Sequence, residues 1–145
     1  MRSPSRPQPW AILDTGVYID HLERGRYGAA LDEIAATLIV RHSAVVLSEL
    51  RRGARTAQAL RVVMELRRRA TEVWAPAEED WWEAGALIQK IGDAHGWDRA
   101  KRRDFQNDTL IALTARRHGA LVVTTNAGDF ELLAAAVKVA VRVLA

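Results

Sequence analysis

Residues 120–130 read ALVVTTNAGDF, and the reading of this run decides the fold. ALVVT (120–124) has the composition of a buried strand, yet it leaves the interior through Thr124, Thr125 and Asn126 and reaches the carboxylate of Asp129 almost at once. Turn formers alone satisfy a loop. The other reading is a site at the end of a buried strand. WAILD (10–14) repeats the pattern, with an apolar run that closes on Asp14. Between these two runs helical and apolar segments alternate. Helices are expected over 16–24 and 28–37, a strand over 37–40, then a helix capped by Ser43 and stopped by Gly53. A basic helix over about 56–70 and a strand in EVWAP (72–76) follow. Next come a helix over 78–95 ended by Gly96 and another over 104–118 stopped by Gly119. A short helix over 130–136 and the apolar run 137–143 complete the chain. Strands alternating with helices imply an α/β fold, a central, mainly parallel sheet between helical layers. Ligands of such sheets gather at the carboxyl ends of the strands, where strand order reverses, so Asp14 and the TTNAGD turn are expected at one edge.

Composition limits what that edge could do. The 145 residues suit one domain, expected over 10–145 behind a flexible tail over 1–9. Hydrophobic residues at 49% and charged residues at 27% describe a globular chain, and no apolar stretch approaches a bilayer span. MRSPSRPQP has no apolar segment behind it, so a cytoplasmic protein is expected, with no membrane partner. With no cysteine, thiolate metal sites and a cysteine nucleophile are excluded, leaving oxygen and imidazole ligands.

Two further acids are at odds with their own helices. At 100° per residue Glu49 projects from the face of Val45, Val46 and Gly53. Asp108 shares a face with Ile111, Ala112 and Ala115, and Asp104 is expected one turn earlier on the same side. Buried carboxylates need a partner. Inward acids from two helices, meeting Asp14 and Asp129, repel one another unless a cation sits among them. Hard oxygen ligands call for Mg²⁺, with Mn²⁺ able to substitute, and such an ion beside basic helices suits phosphodiester hydrolysis.

Each acid also has a local explanation. Asp14 is eligible to cap the helix after it, Asp108 to complement a helix dipole, Glu49 to pair with Arg52, and Asp129 to cap the last helix. The four histidines share no motif, and Trp74, Trp81, Trp82 and Trp97 read as core or partner-facing. Arginines cluster at 51, 52 and 55, at 67–69, around Lys101 from 99 to 103, and at 116–117, within a net charge of +3. A solvated helix face explains any one cluster, and four beside candidate acids favour nucleic acid.

ILDTGVYI, VVLSELRRGAR and NDTLIALTARRHGALVVTTNAGDF, in this order from Trp10 onward, resemble the signature segments of PIN-domain ribonucleases, particularly the VapC-like toxins of bacterial toxin–antitoxin systems. The resemblance implies a three-layer α/β/α sandwich. It places the family's first aspartate on Asp14 with the Thr15 hydroxyl beside it, its glutamate on Glu49 and its third acid on Asp108. The last acidic position falls on Asn126 or on Asp129, so Thr124, Thr125 and Asn126 line the pocket and Asp129 supplies or orients a fourth carboxylate. It further implies Mg²⁺ on Asp14 and Asp108, with Glu49 and Asp129 binding a second ion or positioning water. Products carry 5′-phosphate and 3′-hydroxyl ends, and Arg51, Arg52 and Arg55 grip RNA, with structured RNA such as tRNA the target. A homodimer is implied, inhibited by a VapB-like antitoxin that packs over Trp81 and Trp82 and delivers an arginine.

Other readings remain beside it. An aspartyl-phosphate phosphatase also carries an aspartate after its first strand, but ILDTG lacks the second aspartate two residues on. A flap-type DNA nuclease needs a helical arch for which this chain is short. A PIN-like module that binds RNA or protein without cutting is the alternative to an enzyme.

Overall fold

The computed structural model describes residues 9–145. Its sheet joins β1 (Trp10–Leu13), β2 (Ile39–Ser43), β3 (Val73–Trp74), β4 (Leu121–Thr124) and β5 (Ala140–Val143) in the order β3-β2-β1-β4-β5. Every neighbouring pair is parallel. Central β1 pairs on both sides, with Ile12 opposite Arg41 on β2 and Val122 on β4. Covered on both faces, it reads as continuous apolar sequence, and Ala11 and Ile12 are fully buried.

Seven helices among the described residues make the connections: α1 (Thr15–Arg24), α2 (Gly28–Thr37), α3 (Ala44–Gly53), α4 (Ala57–Arg69), α5 (Glu78–His95), α6 (Arg99–His118) and α7 (Ala127–Ala136). The chain steps from β1 outward to β2 and β3, then returns across to β4 and β5. Right-handed crossovers therefore lay α1–α4 over one face and α5–α7 over the other, giving the expected three layers. The packing agrees, since α1 lies on α3, α5 on α6 and α6 on α7. Strand order reverses between β1 and β4, which fixes the switch point at their carboxyl ends.

Helix α6 is the spine of the core. Phe105 and the whole run Thr109–Ala115 are buried, with Phe130 and Leu133 of α7 on the same side, and the main buried cluster continues through the sheet to Val17 and Ile34. Thr109 and Thr114 sit in this apolar run because each hydroxyl donates to the carbonyl four residues back, at 2.8 and 2.7 Å. Gly96 and Gly119 end α5 and α6 in the left-handed conformation at φ 65°, as their places in the sequence imply.

Several boundaries differ from the sequence reading. Helix α6 begins at Arg99, five residues early, because the Asp98 side chain caps it by accepting from Lys101 N–H at 2.8 Å. Helix α7 begins at Ala127, since the Asn126 side chain caps it and takes the role open to Asp129. Strand β2 extends through polar Arg41, His42 and Ser43: the Arg41 guanidinium lies 4.7 Å from the Trp10 ring centre, and Ser43 buries its hydroxyl by capping α3. Gly53 is the last residue of α3, and the cap falls on Ala54. Most of the tail expected over 1–9 lies outside the described residues, but the Pro9 carbonyl already accepts from Ile39 N–H at 2.6 Å.

Candidate metal and nuclease site

The end of β1 is stitched to the end of β4. Asp14 N–H donates to the Val123 carbonyl at 2.8 Å, and the buried Thr124 hydroxyl donates to Asp14 Oδ2 at 2.8 Å. Asp14 Oδ1 accepts from Thr15 N–H at 2.8 Å, so this aspartate does cap α1 as well as face the switch point. Thr15 Oγ1 in turn donates to Glu49 Oε1 at 2.9 Å, which ties α3 to the same edge. Gly16 keeps the two loops close: a Cβ there would stand 2.9 Å from Thr125 Oγ1.

Helix α6 brings the third carboxylate and the first turn of α7 the fourth. Asn126 Nδ2 donates to Asp108 Oδ2 at 3.1 Å, and Asp108 and Asp129 lie within hydrogen-bonding reach of each other. With α6 starting at Arg99, Asp108 sits in the third turn, too far in to serve as a first-turn acid. Asp104 is exposed, contrary to the sequence reading. Four residues leave it 40° round the helix and one turn nearer the N-terminus.

Charge is concentrated here, with the one ammonium of Lys101 set against four carboxylates. Burial raises the Asp14 carboxyl above its ordinary value, partly offset by the Thr124 and Thr15 hydrogen bonds and reinforced by Glu49 and Asp129. Burial also raises Asp108, joined by the charge of Asp14, the hydrogen bond with Asp129 and the charges of Asp129 and Glu49, to about 8. Asp129 goes the other way. Burial pushes it up, but hydrogen bonds from Lys101, Asp108 and Asn126 outweigh that and hold it low. Within this pair Asp108 is therefore the carboxyl that holds a proton more readily and Asp129 the one that holds its charge.

Lys101 is the residue that sequence reasoning missed. Its Nζ lies 2.8 Å from Asp129 Oδ1, and its only sequence signal is a cation in a first helical turn directly after a capping aspartate. Among the described residues no three Asp, Glu or His side chains close into a ready-made metal cage. The donor set is all oxygen and incomplete, which fits a hard divalent ion that keeps several waters, with Asp14 and Asp108 the residues that could hold it.

Arg51, Arg52 and Arg55 are exposed on and just beyond α3, and none is in an ion pair among the described residues. Arg68 and Arg69 are tied to Glu65, Arg102 to Asp93, Arg116 to Glu83 and Arg117 to Asp80. The first arginine cluster is therefore the one with all its charge available. Glu49 pairs with Thr15 and makes no bridge to Arg52.

A PIN domain family model matches residues 11–136. The chain belongs to the PIN domain family. Among solved structures this PIN domain is similar to VapBC-1 from nontypeable Haemophilus influenzae, at 21% identity and a TM-score of 0.69, over 92% of this chain and 97% of that one. It is also similar to VapBC2 from Rickettsia felis, bound to a DNA fragment from its promoter, at 20% identity and a TM-score of 0.67, over 94% and 99% of the two chains. FitAcB from Neisseria gonorrhoeae matches at 25% identity and a TM-score of 0.61, over 90% and 95%. At such identities the likeness carries the fold. No curated protein matches the chain in sequence. No helix among the described residues is long and apolar enough to cross a membrane.

Proposed function

We propose that this PIN domain is a metal-dependent endoribonuclease toxin. The carrying observation is the convergence of Asp14, Glu49, Asp108 and Asp129 from three helices and one strand end on the switch point of the sheet. Asp14 and Asp108 would hold Mg²⁺, or Mn²⁺ in its place, and the ion would supply an acidified water and charge neutralisation at the phosphate. Thr124 and Thr15 fix the Asp14 and Glu49 carboxylates, and Asn126 fixes Asp108. Glu49 orients the attacking water. Attack of this water at phosphorus forms the new P–O bond and breaks the bond to the 3′-oxygen, which takes up a proton from solvent, leaving 5′-phosphate and 3′-hydroxyl ends. Arg51, Arg52 and Arg55 hold the RNA backbone with little base preference, which suits a target chosen by shape such as tRNA.

The similar VapBC structures support a VapB-like antitoxin as partner; in this reading it inhibits the toxin, which acts as a homodimer. An apolar groove of about 310 Å³ runs between α1, α3 and α4, with Ile19, Leu22, Val62 and Val63 in its walls and Glu49 in its lining. An inhibitory segment seated there reaches the acid pocket directly. The Trp81–Trp82 cleft is lined by Glu78 and Glu79 and by none of the four site carboxylates, so it is the less suited route.

The test is cleavage of total RNA and tRNA by purified protein, free of antitoxin, with Mg²⁺ or Mn²⁺, beside folded Asp14→Asn and Asp108→Asn variants. Metal-dependent cutting by the wild type alone is expected. Equal inactivity of all three on a broad RNA set, with RNA still bound, turns the reading to a non-catalytic module.

A further inference from the structure

Lys101 occupies the first turn of α6, where the helix dipole presents positive charge and the only acid is the capping Asp98, whose carboxylate is taken by the Lys101 backbone N–H. A cation there stands against its local field, and Asp129, 28 residues further along the chain, answers it at 2.8 Å. The ammonium also lies 4.9 Å from the Trp97 ring centre and 5.7 Å from that of Phe105, two rings packed edge to face. That aromatic wall gives the long side chain a fixed path into the pocket. Its side chain is still 39% exposed, so the charge is open to a ligand. With the lysine side of the pair open to water, the ion pair and the ring contacts add modestly to stability, and together they set a cation inside the acid pocket. Asn126 matters equally. It grips Asp108 with its amide, where a further carboxylate would strengthen the case for a second ion.

We propose that Lys101 supplies the second positive charge of the pocket: it holds Asp129 away from the metal, so that one divalent ion on Asp14 and Asp108 suffices, and it contacts the phosphate that is cut. This rests on the nuclease reading above. The ammonium faces a non-bridging phosphate oxygen, and the aromatic wall keeps it from swinging out as the RNA leaves.

The experiment measures Mn²⁺ binding to the full chain without RNA, by titration calorimetry and electron paramagnetic resonance, together with cleavage rates over a Mn²⁺ series. Wild type, Lys101→Met, Lys101→Arg and Asp14→Asn are compared. Wild type and K101R are expected to bind one ion per chain. K101M is expected to gain a second, weaker site as Asp129 is released, to lose about tenfold or more in kcat with KM little changed, and to recover in part as that site fills. K101R, which restores the charge, is expected to keep most of the wild-type rate. Two ions on the wild type overturn the proposal, and so does a K101M protein that matches wild type in both stoichiometry and kcat. Asp14→Asn separates the two levels: wild-type binding and cleavage in that variant overturn the nuclease reading itself, whereas a silent K101M beside an inert Asp14→Asn removes only the role of Lys101.

Discussion

Asp80 on α5 and the half-buried Asp108 on α6 meet opposite fates. Asp80, on α5, has a side chain only 1% exposed, and Arg117 reaches both its oxygens, each at 3.0 Å, while Ala77 N–H donates to it at 2.9 Å. Burial pushes Asp80 upward, but the Arg117 and Ala77 bonds more than offset that, and the carboxyl is held low. Asp108, on α6, is offered one amide and three other carboxylates, and is held high. A fold that can match Asp80 so closely leaves Asp108 unmatched. A carboxylate serving structure is neutralised by the chain itself; one serving a cation is left for the cation to neutralise.

The sharpest way to break this contrast is to neutralise both acids. Asp14→Asn and Asp108→Asn remove the ion's ligands, and a loss of cleavage of at least about 100-fold is expected in protein that folds normally, read by single-turnover rates. Asp80→Asn leaves cleavage nearly intact and costs stability instead, about 1–3 kcal/mol by denaturant melts. That lies below the full cost of breaking a buried pair because the Arg117 side chain is 40% exposed and regains water. Cleavage lost in the Asp80 variant at full stability, with Asp108→Asn active, would invert the assignment.

The contrast extends to pH. In metal-free protein Asp108 keeps a proton up to about 8, whereas the unfolded chain releases it near the ordinary carboxylate value. The folded state then binds more protons across that window, so this contribution is whole below the lower value and is lost as pH rises toward 8. Asp80 acts with the opposite sign. Its contribution is present above the ordinary carboxylate range and is lost as pH falls through its lowered value. Asp108→Asn is therefore expected to raise the Tm of metal-free protein at pH 8 by a few degrees and to change little near pH 4, and Mg²⁺ is expected to stabilise only the wild type. A flat wild-type profile between 4 and 8, with no response to Mg²⁺, speaks against the uncompensated charge.

How much of this the sequence discloses depends on whether the deciding interaction is local. β1 and β4 are legible because strands covered on both faces must be apolar throughout, and Asp14 because it ends such a run. Glu49 and Asp108 are legible as acids on apolar helix faces. The polar half of β2 is not, since Arg41 and Ser43 are acceptable there only through Trp10 and the cap of α3. The start of α6 hides in RAKRRD, where repelling charges mask the Asp98 cap. Lys101 looks like one of several basic residues until tertiary structure sets it against Asp129.

The smallest effects belong to the arginines. Arg51, Arg52 and Arg55 are exposed and outside any ion pair among the described residues, while Arg116 and Arg117 are bound to acids of α5. Of these two groups, the first is the one free to release counterions from an RNA backbone. Single alanine substitutions at 51, 52 or 55 are expected to weaken RNA binding modestly and to lower the slope of log affinity against log salt by roughly 1 for each phosphate no longer neutralised, with kcat unchanged at saturating RNA. Arg117→Ala is expected to leave that slope alone and to lower Tm, because its charge is already engaged by Asp80. Should Arg117→Ala flatten the salt dependence while the α3 arginines do not, the RNA path crosses the α5–α6 face, and the division between structural and functional charge must be redrawn there.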